Sequence, residues 1–128
     1  EHATLDVLHA WELPGETMLG NGRGRIPRVE LDLLLDATET SHREALDALL
    51  SPYGLSTGSS NVHLLKGRPA QTISGYAREQ EYDLIVMGTL GRTGIAGLFI
   101  GNTAEDVLRE TQTAVLAAKP DGFVSPIE

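Results

Sequence analysis

The run YDLIVMG at residues 82–88 limits the fold more than any other part of the chain. Its centre, LIVM, is apolar without alternation, the pattern of a strand covered on both faces. Strands of that kind belong to parallel sheets, and parallel strands need long crossovers, usually helices. The rest of the chain supplies candidates for both. TLDVLHAW (4–11) and TAVLAAKP (113–120) read as strands, and SSNVHLLKG (59–67) as a weaker one bounded by serine and glycine. Between Val29 and Leu50, the residues Leu31, Leu34, Leu35, Ala45, Leu46 and Leu49 fall roughly on one stripe. That predicts an amphipathic helix, closed by Ser51-Pro52 and Gly54. Pro69 sits where a first helical turn tolerates it, with Ile73, Tyr76 and Ala77 on the inner face. A last helix is predicted over 103–110, with Ala104, Val107 and Leu108 inward. Residues 12–27, rich in Pro, Gly and Asn, predict a long loop, and the tail beyond 118 is irregular. Strands alternating with helices predict an α/β fold, a parallel sheet with helices on both faces. In such sheets ligands bind beyond the carboxyl ends of the strands.

A chain of 128 residues is one domain by length. Its formal charge of −8 opposes nucleic acid and anionic membranes as general partners, though local backbone dipoles still decide a single phosphate site. With no cysteine, disulfides, thiolate catalysis and cysteine-ligated zinc are excluded. The apolar runs are far too short to span a bilayer. EHATLDVLHA shows no basic segment followed by an apolar one, so the expected compartment is the cytoplasm.

After the 82–88 strand comes TLGRTGIAGLFIGNTAEDVL, and five of the fourteen residues from Gly88 to Gly101 are glycine. Ordered glycine costs backbone entropy, so the cluster implies positive φ or something approaching the backbone closely. Gly88 and Gly91 are expected to let the chain turn sharply off the strand. Gly101 precedes a helix start, and Asn102 and Thr103 are good capping types. Amides there, helped by the helix dipole, favour an anion such as phosphate, and Arg92 adds the loop's one cation. Two common nucleotide motifs do not fit. A P-loop needs Gly-Lys-Ser/Thr where this chain has Gly101-Asn102-Thr103, and Gly91, Gly94 and Gly97 are spaced too widely for the dinucleotide fingerprint.

The spacing Gly88-x2-Gly91-x9-Gly101, followed by small polar residues and an amphipathic helix, resembles the universal stress protein family. LDVLHAW looks like that family's second strand, and KGRPAQTISGYAREQEYDLIVMGTLGRTG like its third strand through its fourth loop. GNTAEDVL…TAVLAAKPDGFVSP resembles the tandem-domain, E-type branch. The resemblance implies a Rossmann-like fold, related to the adenine nucleotide alpha hydrolases, with five parallel strands. It implies ATP or another adenine nucleotide, with Mg, as cofactor, and a homodimer or tandem-domain pseudo-dimer paired through residues 113–118. Carried over residue by residue, it puts Ala10 on the adenine side, Met87 and Gly88 at the base of the site, and Gly91, Arg92, Gly101, Asn102 and Thr103 around the phosphates. Two departures stand out. Asn102 replaces a usual serine or threonine, and the family's first strand, ending in an aspartate that contacts the nucleotide, has no counterpart. In the family that strand lies between the second and fourth, so its loss is expected to leave two open edges; the chain reads as part of a longer protein, or else another chain fills the gap.

Other candidates read as structural. His9 is expected to be a packed, hydrogen-bonded residue, and His2, His42 and His63 lack metal-ligand spacing. Asp32, Asp36 and Glu39 read as a solvated helix face. Trp11 is either a core anchor or a cover for a ligand. Gly54-Leu55-Ser56-Thr57-Gly58 matches Gly-x-Ser-x-Gly, but it follows a helix and precedes a strand, the reverse of a nucleophile elbow, and so predicts a turn. No dedicated hydrolase site is expected, and any ATP hydrolysis is slow and incidental. The favoured function is a stress-response regulatory domain that binds an adenine nucleotide. The alternatives are a non-binding interaction and dimerisation module of the same fold and, more distantly, an adenylating ligase.

Overall fold

The computed structural model describes residues 3–20, 26–88 and 102–118. The elements run β1 (Val7–Trp11), α1 (Glu16–Gly20), α2 (Arg28–Leu50), a 3-10 turn (Ser51–Tyr53), β2 (Val62–Lys66), α3 (Pro69–Glu79), β3 (Leu84–Gly88), α4 (Asn102–Glu110) and β4 (Ala114–Ala118). The fold is α/β with parallel strands, as the alternation of apolar runs and helical stripes predicts. The chain divides into two compact units, Glu1–Gly67 and Arg68–Glu128. Each holds one parallel strand pair, β1 with β2 and β3 with β4. Among the described residues, β1 and β3 each have a single strand partner, so each keeps one unpaired edge.

In the first unit β1 and β2 run in register from Val7 opposite Val62 to Trp11 opposite Lys66. Strand side chains alternate between faces, so Val7, His9 and Trp11 share one face and Leu8 and Ala10 the other. The first face meets α2. Leu46 and Leu50 of α2 and Val62 are buried together, with Val7, Leu55 and Leu64 packed against them. The inward stripe of α2 is Leu31, Leu35, His42, Leu46 and Leu50. Leu34, Ala45 and Leu49, expected to face inward, are exposed, because the stripe follows steps of three and four from Leu31 and passes them by. The loop expected over 12–27 contains α1, a helix of five residues. At its last residue, Gly20, a Cβ would stand 3.1 Å from Leu31 Cδ2, so glycine lets α1 sit close on α2. Gly54, at φ 72°, ends the 3-10 turn in the left-handed region that favours glycine.

In the second unit α3 and α4 pack against each other. Their buried residues, Ala70, Ser74, Ala77, Ala104 and Val107, are small enough to let two helices approach. Pro69 opens α3 at the position where its missing N–H costs nothing. The far end closes in a Schellman motif. Tyr82 N–H donates to the Ala77 carbonyl at 2.9 Å and Glu81 N–H to Arg78 at 3.2 Å, with Glu81 at φ 56° where glycine is usual. The inner face of α3 centres on Ala70, Ser74 and Ala77, and Ile73 and Tyr76 are half-buried at its margin. Two expectations fail here. Leu108 of α4 is 44% exposed instead of inward. The β3 run is covered on one face only: Ile85 and Met87 are half-buried, whereas Leu84 and Val86 are 48% and 57% exposed. The described residues supply helices for a single face of the β3–β4 pair.

Candidate functional site

The candidate site is built where β3 ends and α4 begins. Met87 and Gly88 are the last two residues of β3, paired with Ala117 and Ala118 of β4. Met87 is half-buried and Gly88 exposed. A Cβ on Gly88 would meet nothing within 4 Å among the described residues. Gly88 belongs to the strand, as the 82–88 run predicts, and among the described residues its missing side chain leaves open space at the carboxyl end. The turn off the strand, expected from Gly88 and Gly91, lies outside the described residues. Gly91, Arg92 and Gly101 lie outside the described residues, as do Gly94 and Gly97.

On the other side, Asn102 and Thr103 are the first two residues of α4, both exposed. Neither is the cap they were expected to provide. Both are already helical and contribute first-turn N–H groups, which have no partner inside a helix. Such groups and the positive end of the helix dipole favour an anion. Behind them Ala104 and Val107 are buried and fix the helix against the unit. Met87, Gly88, Asn102 and Thr103 belong to the second unit. Ala10 belongs to the first, half-buried near the carboxyl end of β1 on the face turned away from α2.

A cavity of about 420 Å³ opens at the opposite end of the β3–β4 pair, lined by Ser74, Arg78, Tyr82, Gln112 and Thr113 among others. Glu81, Asp83 and Glu110 face it against the single cation Arg78, an unfavourable field for phosphates. The Ser74 hydroxyl beside it is buried, with no hydrogen-bond partner among the described residues. Among the described residues no group of three or more His, Asp or Glu is arranged to hold a metal ion, and no helix is long and apolar enough to cross a membrane.

Several side chains weighed from the sequence find their places. His9 is half-buried and hydrogen-bonded, Nε2 to His42 Nδ1 at 2.9 Å. Trp11 is buried and stacks on His42 at 6.0 Å between ring centroids, which makes it a core residue. Asp32 and Glu39 pair along α2 with Arg28 and Arg43 at the solvated surface. Ser56 sits exposed in a turn, its Oγ accepting from Gly58 N–H, with no base near it among its hydrogen bonds. Sequence reasoning missed the His9–His42 pair. Its signal was the step of seven from Leu35 to His42 and four to Leu46, which puts His42 on the inward stripe.

The model of the universal stress protein family matches residues 1–119. The chain belongs to the universal stress protein family. It is 34% identical over 103 residues to Universal stress protein E of Escherichia coli K12, a match that covers 80% of this chain and 32% of that protein. A Pseudomonas aeruginosa UCBPP-PA14 structure assigned to the universal stress proteins is 31% identical, with a TM-score of 0.60, covering 91% of this chain and 34% of its own. The structure of the hypothetical protein MJ0577 shares the fold at a TM-score of 0.64 and 17% identity, covering 94% of this chain and 81% of its own. The universal stress protein E relative bears out the E-type likeness carried by the GNTAEDVL ending. The chain spans about a third of the length of that relative.

Proposed function

We propose that this universal stress protein domain is a stress-response regulatory domain of the cytoplasm that binds ATP or another adenine nucleotide. The carrying observation is the junction of β3 with α4: an open strand end at Gly88 and, across the glycine-spaced segment, the exposed first turn of α4 at Asn102 and Thr103. Both features suit a polyphosphate, one by leaving room and the other by offering N–H donors. Gly91, Arg92 and Gly101 would complete the cradle, Ala10 would line the adenine side, and Mg would offset the charge of the phosphates. Occupancy would act by differential affinity for two states, with hydrolysis slow and incidental. The partner is a second copy or a tandem domain, paired through β4, whose Ala114 and Leu116 are exposed.

Titration calorimetry with ATP tests the site on wild type, Gly101→Val and Arg92→Ala, each checked for unchanged circular dichroism. Loss of one charge-assisted contact at Arg92 is expected to weaken binding about tenfold or more. Equal affinity in all three proteins removes the loop from the reading. A second reading, an interaction module without nucleotide, is favoured by Leu84, Val86 and Leu116, exposed together on one face of the β3–β4 pair. It predicts no heat with ATP in any of the three.

A further inference from the structure

In the first unit, β1 and α2 are joined by two imidazoles. His9 Nε2 lies 2.9 Å from His42 Nδ1, with the ring centroids 5.1 Å apart, and the indole of Trp11 stacks on His42 at 6.0 Å between centroids. The two histidines are 33 residues apart in sequence, so their bond ties helix to strand. We propose that His9 and His42 form a proton-operated latch between β1 and α2, closed while at least one ring is neutral and released when both are protonated.

The argument is a count of protons. A hydrogen bond between two ring nitrogens needs one N–H and one lone pair. The neutral pair provides both. A singly protonated pair also does, so the bond survives the first proton. A doubly protonated pair offers two N–H groups to each other and no acceptor, so the bond is lost and repulsion replaces it. The latch thus tolerates the first proton and opens on the second.

The neighbouring charges leave the pair to itself. On β1 and β2, Asp6 and His63 contact each other at 3.3 Å, and alternation puts them on the far face of the strands. Lys66, opposite Trp11, is held by Glu16 of α1 at 2.9 Å. One turn before His42 on α2, Glu39 is engaged by Arg43 at 2.8 Å, and further on Asp47 accepts from Thr57. Burial first, and the His42 charge second, hold His9 below its ordinary value. A folded pKa below the unfolded one means that the opened state binds the proton more tightly. The stabilisation is therefore complete above about pH 6.5, the unperturbed imidazole value, and is lost as pH falls through the folded value.

The chain carries its own reporter, because Trp11 is the only tryptophan and imidazolium quenches indole emission. Trp11 fluorescence and native-state amide exchange over β1 and α2, corrected for the chemical pH dependence of exchange, are followed from about pH 8 to about pH 4.5, which brackets imidazole titration. Wild type, His42→Gln, His9→Gln and His63→Gln are compared. In wild type the opening constant of the β1–α2 contact is expected to rise with acid, about tenfold for each unit separating the closed and opened pKa values. His42→Gln loses the Trp11 step, both His42→Gln and His9→Gln flatten the exchange profile, and His63→Gln keeps it. If one glutamine variant does not fold, the other and the wild-type profile decide. Flat protection in wild type, an undiminished acid response in either latch variant, or its loss in His63→Gln overturns the proposal.

Discussion

Leu46 and Leu49 lie three residues apart on α2 and both belong to the leucine stripe seen in the sequence, yet the structure assigns them opposite energies. Leu46 is 6% exposed and packs with Leu50 and Val62, whereas Leu49 is 66% exposed. Truncating Leu46 to alanine removes three buried carbons at about 0.8 kcal/mol each, roughly 2.4 kcal/mol of transfer energy. The cavity adds to this, since Val7, Leu55 and Leu64 surround the cluster and cannot collapse fully, so the expected cost is about 3 kcal/mol. At Leu49 only about a third of that transfer energy is at stake, and alanine's better helix propensity returns part of it, leaving about 0.5 kcal/mol or less. The two variants should differ by roughly 2.5 kcal/mol, about seventyfold in the unfolding constant. Urea denaturation followed by Trp11 emission reads this directly, because the indole is buried in the same unit beside α2. Midpoints should move while the slope stays constant. A Leu49→Ala cost equal to that of Leu46→Ala would refute the assignment of the inward face, and with it the placement of His42.

Three smaller predictions use the same assay with circular dichroism. Glu81→Gly should stabilise the second unit by on the order of 0.5 kcal/mol, since glycine relieves the left-handed strain at φ 56° and returns part of the gain as unfolded-chain entropy; a loss of stability would mean that the Glu81 side chain makes a compensating contact. Asp47→Ala should cost about 1–2 kcal/mol, because its carboxylate accepts from Thr57 N–H at 2.6 Å and from Thr57 Oγ1 at 3.2 Å and so ties the 55–60 turn to α2. Asp106→Ala, which breaks only the exposed pair with Arg109, should stay below about 0.5 kcal/mol in the same measurement.

Element order was legible because it depends on local pattern. Pro69 marked the start of α3, and the 82–88 and 113–120 runs held β3 and β4 inside them. What failed was information about surroundings. LIVM has no alternation, so it predicts two covered faces; the side chains that would cover Leu84 and Val86 are not among those described, and the strand's own composition cannot say which element supplies them. α1 escaped because five residues are too few to show a period, and its stability comes from docking on Leu31. Of the site, the two flanks were readable: a strand ending at Gly88 and a helix starting near Thr103. Their details were not. Asn102, a residue type suited to capping, is already helical, and the turn beyond Gly88 lies outside the described residues.

The histidine pair shows the same limit from the other side. Metal-ligand spacing is a local pattern, and scanning for it has no means of pairing His42 with His9 across 33 residues. Helical periodicity did have half the answer. Once the stripe is anchored at Leu31 and Leu46, His42 must point the same way, and a histidine on an inward stripe needs a partner for its ring nitrogens. Strand alternation had the other half, since Val7 and Trp11 share their face with His9. Two periodic readings therefore converge on one contact only after it is known that α2 packs on β1, which is a tertiary fact. A polar residue on an apolar stripe is thus a question put to the whole fold, and here the answer is a second histidine.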